Sequence, residues 1–151
     1  MLTLALDPSS TATGWALFDG LQLREYGTVR RNSRKLVDYA AGIANVYFAA
    51  WARVEPPCDH QCIVYEINDT PMPRARQASL RKCHEATGRI LQALGVEGEP
   101  VQADRKKKKQ RRADMELIYK LEGRVSEHCI DAIALGHRVV NDPKRLEPRP
   151  D

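Results

Sequence analysis

The chain has 151 residues, the length of one domain. Its 42% hydrophobic and 29% charged content, with nine Gly and nine Pro, fits a soluble globular protein and excludes collagen-like or mostly disordered chains. No apolar run approaches the roughly 20 residues that cross a bilayer, and the first ten residues lack the basic-then-apolar order of a signal peptide. The expectation is a cytoplasmic protein without a membrane association.

In chain order, Leu2, Leu4 and Leu6 alternate with Thr3, Ala5 and Asp7, a strand pattern that stops at Pro8. Gly14 to Phe18 forms a second short strand, and Asp19-Gly20 supplies a tight turn into a third, Leu21 to Val29. Leu36, Ala40, Ile43, Tyr47 and Trp51 recur at helical spacing, predicting a helix over 34–52 with Ser33 as its cap. Trp15, Tyr47, Phe48 and Trp51 are read as core or subunit-surface packing. After Pro56 and Pro57, Cys62 to Ile67 is an apolar run suited to a buried central strand, interrupted by Glu66. A second helix is predicted over 75–94, closed by Gly95. Pro100 to Ala103 reads as a short strand, 113–121 as a helix, Gly123 as a break and 126–140 as the last helix. Residues 1–141 then form the domain and 142–151 a Pro-rich tail. Strands in a meander followed by alternating strands and helices predict an α/β layer fold with a mixed sheet.

The formal charge of +4, from 24 Lys+Arg against 20 Asp+Glu, is concentrated in one place. Arg105, Lys106, Lys107, Lys108, Lys109, Arg111 and Arg112 put seven positive charges among eight residues, a footprint for a polyanion. A solvated charged face is the alternative for such a run. The four cysteines are too few and too irregularly spaced for a disulfide framework, and free thiols are expected. Cys58, His60 and Cys62 with Cys83 and His84 offer thiols and imidazoles to zinc, but their spacing fits no common finger.

Carboxylates are costly in buried strands unless paired, hydrogen-bonded or bound to metal. Asp7 ends the first strand and Glu66 lies near the end of the apolar run, so the two converge at one sheet edge if those strands are neighbours. On the last helix His128 and Asp131 are three apart and face the same way. Glu127 beside them reads as a partner of the helix dipole. One Asp, one Glu and a His/Asp pair are mainly hard donors, suited to Mg²⁺, or Mn²⁺, rather than zinc. Beside a Lys/Arg run, the natural chemistry is phosphodiester hydrolysis assisted by two divalent ions about 3.5–4 Å apart.

The run from Leu4 through Asp7-Pro8-Ser9-Ser10 to Thr13-Gly14-Trp15 resembles the first motif of RuvC-type Holliday junction resolvases, with Ser9 where members usually carry Gly. Tyr65-Glu66 resembles the second acidic motif, His128-Cys129-Ile130-Asp131-Ala132 the third, and Arg76 to Leu94 the helix after the second motif. The resemblance implies a ribonuclease-H-like fold of about five strands, the first three antiparallel, flanked by helices. It implies a homodimer that resolves four-way DNA junctions by paired symmetric nicks, with two Mg²⁺ ions per site and no small-molecule cofactor. Asp7, Glu66, His128 and Asp131 would be the catalytic, metal-binding set, and the basic run would contact DNA, joined by Arg74 and Arg76. A non-catalytic branched-DNA-binding module and a nuclease acting on flaps or RNA–DNA hybrids are the competing readings.

Overall fold

In the computed structural model, residues 1–32, 34–53, 61–67, 73–95, 97–103, 108–142 and 144 are described. Strands β1 (Leu2–Asp7), β2 (Ala12–Asp19) and β3 (Gln22–Arg30) lead into helix α1 (Leu36–Ala52), followed by β4 (Gln61–Ile67), α2 (Arg74–Leu94), β5 (Glu99–Gln102), α3 (Lys108–Tyr119) and α4 (Glu127–Val140). They form a five-stranded sheet of order β3-β2-β1-β4-β5. The first three strands are antiparallel, and β1–β4 and β4–β5 pair parallel.

The period of two along each strand sorts side chains between two cores. Leu2, Leu4 and Leu6 of β1 and Trp15 and Leu17 of β2 pack with Tyr39, Ile43 and Tyr47 of α1 and Ile90 and Leu94 of α2. The alternate residues of β2, Ala16 and Phe18, meet Cys129, Ile130 and Ile133 of α4 and Met115 of α3. Ala5 and Val64 meet Leu135 and Val139 of α4. Asp7 and Glu66 follow Ala5 and Val64 by two residues each, so alternation sends both carboxylates toward the α4 side.

Gly95, with φ +70°, closes α2 as expected. The third strand is displaced by one residue from its predicted span. Helix α1 begins at Leu36, without a side-chain cap bond from Lys35; Ser33, the predicted cap, lies outside the described residues. The larger correction concerns α3, which begins at Lys108 rather than Ala113. Part of the basic run is itself helical, because Arg111 and Met115, four apart, share a buried face. Most of the tail also lies outside the described residues. No helix among the described residues is long and apolar enough to cross a membrane.

Candidate active site

Parallel pairing of β1 with β4, in the register Leu6 to Tyr65, brings Asp7 and Glu66 to the carboxyl ends of neighbouring strands. The third contributor is the start of α4. Ser126 caps that helix, its Oγ accepting from the Cys129 amide at 3.1 Å. The same hydroxyl pairs with Thr28 of β3, and Thr28 is the cross-strand partner of Gly14, itself opposite Asp7. Gly14 lets α4 come down onto the sheet: a Cβ there would lie 1.9 Å from the His128 carbonyl oxygen and 2.5 Å from the Cys129 nitrogen. With the helix seated so closely, His128 Nδ1 reaches Asp7 Oδ2 at 2.8 Å. An ionised carboxylate only accepts, so Nδ1 donates, and Nε2 is the acceptor in the neutral ring.

The loop after Asp7 is held from several sides. Ser9 Oγ accepts from the Ala12 amide at 3.1 Å and donates to the Ala12 carbonyl at 2.6 Å, closing the turn with its side chain. Tyr39 of α1 donates to the Ser9 carbonyl at 3.0 Å and lies 2.6 Å from Thr13 Oγ1. From α2, the Cys83 thiol donates to the Pro8 carbonyl at 3.0 Å. Ser9 therefore has a specific use in this loop.

Asp131, one helical turn beyond His128, is buried and ion-paired with Arg111 at 2.6 Å. Arg111, expected among the DNA-contacting residues, is instead only 6% exposed and is turned inward to the acidic cluster. Arg112 is also engaged, by Glu127 at 2.8 Å and Glu116 at 3.5 Å. Glu127 thus meets a cation as well as the helix amino end. Lys109, Arg74 and Arg76 are exposed, whereas Arg105, Lys106 and Lys107 lie outside the described residues. So do Cys58 and His60 of the zinc candidates; no disulfide joins Cys62, Cys83 and Cys129 among the described residues.

Glu66 carries the electrostatic signature of the cluster. Burial, then the charges of Asp7 and Asp131, push its carboxyl up to about 7, against smaller opposing effects of Arg111 and Arg138. Three carboxylates from three elements therefore share one field, and their hard oxygens suit a divalent cation. In the present side-chain arrangement, no three His, Cys, Asp or Glu side chains among the described residues are grouped tightly enough to hold an ion. Arg111 and His128 instead supply the cluster's polar contacts to Asp131 and Asp7.

The pairing of Arg111 with Asp131 and the close approach of α4 to Gly14 are the local roles the sequence reading missed. Glycine in a Thr-Gly-Trp step gave a signal for Gly14, but the helix above it belongs to the tertiary structure. An arginine within a run of cations gave none.

No protein-family model matches the sequence, and no curated protein sequence does. Solved structures do resemble the fold. Thermus thermophilus RuvC in complex with a Holliday junction substrate aligns with a TM-score of 0.64 at 18% identity, over 91% of this chain and 90% of that one. Another T. thermophilus RuvC structure gives 0.62 at 17% identity, covering 89% and 90%. The Mn-soaked nuclease domain of human cytomegalovirus terminase gives 0.52 at 16% identity, covering 95% and 85%. With its mixed sheet between two helical layers, the chain has a ribonuclease-H-like fold of the RuvC type.

Proposed function

We propose that the protein is a divalent-metal-dependent endonuclease of branched DNA, cutting four-way junctions as a homodimer with one nick per subunit. The observation that carries this reading is the convergence of Asp7 and Glu66, at the ends of neighbouring parallel strands, with Asp131 of α4, where burial and then the charges of Asp7 and Asp131 raise Glu66 to about 7. Clustered carboxylates at the ends of parallel strands are costly to maintain without a cation to receive. Asp7, Glu66, His128 and Asp131 would hold Mg²⁺ or Mn²⁺, two ions per site in the full form of the proposal. Such ions, when bound, neutralise the phosphate and promote attack by water.

This chain's own residues have separate tasks. Gly14 and the Ser126 cap position the α4 amino end; Asp7 orients the His128 ring through Nδ1; Arg111 balances Asp131 within the buried cluster. Lys109, Arg74 and Arg76 are exposed cations for DNA phosphates, and the remainder of the 105–109 run joins them in this proposal. The likeness to RuvC bound to a Holliday junction supports the choice of branched DNA, and the Mn-soaked terminase nuclease supports the choice of ion. The test is incubation with an end-labelled four-way junction and a matching linear duplex, with Mg²⁺ or EDTA. Mg²⁺-dependent paired nicks in the junction alone are expected.

A second reading, a branched-DNA-binding module without catalysis, is favoured by the Arg111–Asp131 pair, which gives the carboxylate a structural partner. Tight junction binding with no cutting in Mg²⁺ or Mn²⁺ would select it. Equal cutting of junction and duplex, or preferential cutting of flaps or RNA–DNA hybrids, would instead select a different nuclease of this fold.

A further inference from the structure

The connection between β3 and α1 carries a second concentration of positive charge. Arg30, Arg31, Arg34 and Lys35 place four cations within six residues, and Asp38 is the one carboxylate between residues 30 and 40. Arg30, Arg34 and Lys35 are exposed. Their charge does nothing for the helix that follows, because cations ahead of a helix amino end oppose its dipole, and Lys35 gives α1 no side-chain cap.

The sheet puts this turn at the edge that carries Asp7. Asp7 is paired with Gly14 and Gly14 with Thr28, so Arg30, two residues after Thr28 and opposite Ala12, lies past the same edge. Two strand spacings and two residues of rise put its backbone about 10 Å to the side of Asp7 and about 7 Å beyond it. Phosphates recur about every 3.4 Å along each strand of a duplex, so the turn stands a few nucleotides from a phosphate held at Asp7. It occupies the β3 side of Asp7, whereas α2, with Arg74 and Arg76, follows β4 on the other side, and Lys109 lies on α3, which packs with α4 across the sheet from α1.

Arg31 fixes the turn to the loop that follows Asp7. Its amide donates to the Thr11 carbonyl at 2.8 Å, and its guanidinium donates to the Ser10 carbonyl at 3.3 Å and to the Arg34 carbonyl at 2.7 Å. Tyr39, near the start of α1, reaches the same loop through Ser9 and Thr13. The cations are therefore carried on backbone already registered to Asp7, which lowers the ordering entropy lost when a ligand binds.

We propose that Arg30, Arg34 and Lys35 form a second phosphate-binding bank, taking the DNA backbone on the β3 side of the scissile bond, with Arg31 as the residue that positions it. The inference rests on the nuclease reading for the place of the scissile phosphate, and it extends the DNA surface beyond the cations of α2 and α3. Backbone contacts of this kind neutralise phosphates without reading bases, so the bank supplies affinity and register, and its mark is salt dependence.

The test compares the full-length native protein with the Arg30→Ala/Arg34→Ala/Lys35→Ala triple variant on a four-way junction in EDTA, by fluorescence anisotropy across a KCl series. All three side chains are exposed, and circular dichroism should show the native fold. The slope of log affinity against log salt should fall by about two to three, about one per lost contact. A neutral methylphosphonate is then placed at each position around the crossover. The native protein should lose affinity at about two or three phosphates on one side of the nick to which the triple variant is indifferent, while Lys109→Ala stays sensitive there. Arg31→Gln, with Arg30, Arg34 and Lys35 intact, should spread that pattern over more positions; an unchanged pattern would overturn the positioning role. An unchanged slope in the triple variant, or indifference of Lys109→Ala to the same phosphates, would overturn the bank and leave these cations as solvated surface. A slope lowered in the triple variant, from a native protein that cuts no DNA with Mg²⁺, would overturn the nuclease reading and keep the bank as the phosphate surface of a binding module.

Discussion

Gly14 lies directly beneath the backbone of His128, so near that the Cβ of an alanine would stand 1.9 Å from the His128 carbonyl oxygen. The contact joins β2 to the first turn of α4 and sets the reach of His128 to Asp7. A second close approach occurs farther along the helix, where a Cβ on Gly136 would enter the Phe18 ring. Gly14→Ala must displace backbone, which gives much less readily than a side-chain tip. A loss of about 1–3 kcal/mol or more is expected in chemical denaturation, with a larger loss of cleavage than Ser126→Ala, which removes one helix cap.

Asp7→Asn preserves shape and removes one charge from the cluster. Junction binding should be unchanged or slightly tighter, and cleavage should fall by at least about a hundredfold. Gel-shift and cleavage assays on the same preparation separate the two; undiminished cutting would exclude Asp7 from the chemistry.

Arg111 and Asp131 form the most deeply buried of the charge pairs described above, with side chains 7% and 11% exposed. Arg111→Met leaves a buried carboxylate without its nearest cation and should cost about 3–5 kcal/mol. Combining it with Asp131→Asn should recover much of that loss, whereas a purely solvent-facing arginine would show neither effect. Denaturant unfolding of the two single variants and the double variant measures the coupling.

The raised Glu66 carboxyl gives a definite sign to the pH dependence. Its folded value of about 7 stands above the ordinary 4.5, so between these pH values the folded chain binds more protons than the unfolded one. The group favours folding at low pH, and its contribution is lost as pH rises from about 4.5 through about 7. In EDTA, native stability relative to Glu66→Gln should fall between pH 5 and pH 8 by on the order of 3 kcal/mol. Mg²⁺ at pH 8 should raise the native melting temperature more than that of Glu66→Gln, because a ligand of the folded state stabilises it by mass action.

Exposed cations that meet phosphates release counterions on binding. Replacing Lys109, Arg74 or Arg76 by Ala should weaken junction binding across sequences and lower the salt-dependence slope by about one per lost contact. Arg112→Ala should have less effect on the slope, since its guanidinium is already engaged by Glu127 and Glu116.

The sequence by itself determined the order of elements, the strand that ends at Asp7, the buried strand that carries Glu66, the Gly95 helix stop and the turn shared by His128 and Asp131. These are local matters: alternation, helical spacing and turn chemistry act over a few residues, and each leaves a pattern in the chain. Only the tertiary structure decided that β1 and β4 are parallel neighbours, because nothing local to Leu6 or Tyr65 specifies which strand pairs with which. It likewise started α3 at Lys108, where burial of Arg111 and Met115 on one face outweighed the self-repulsion of the basic run. The turn of Arg111 inward to Asp131 has the same origin: a buried carboxylate requires a cation, and the packing of α3 on α4 determined which arginine supplied it.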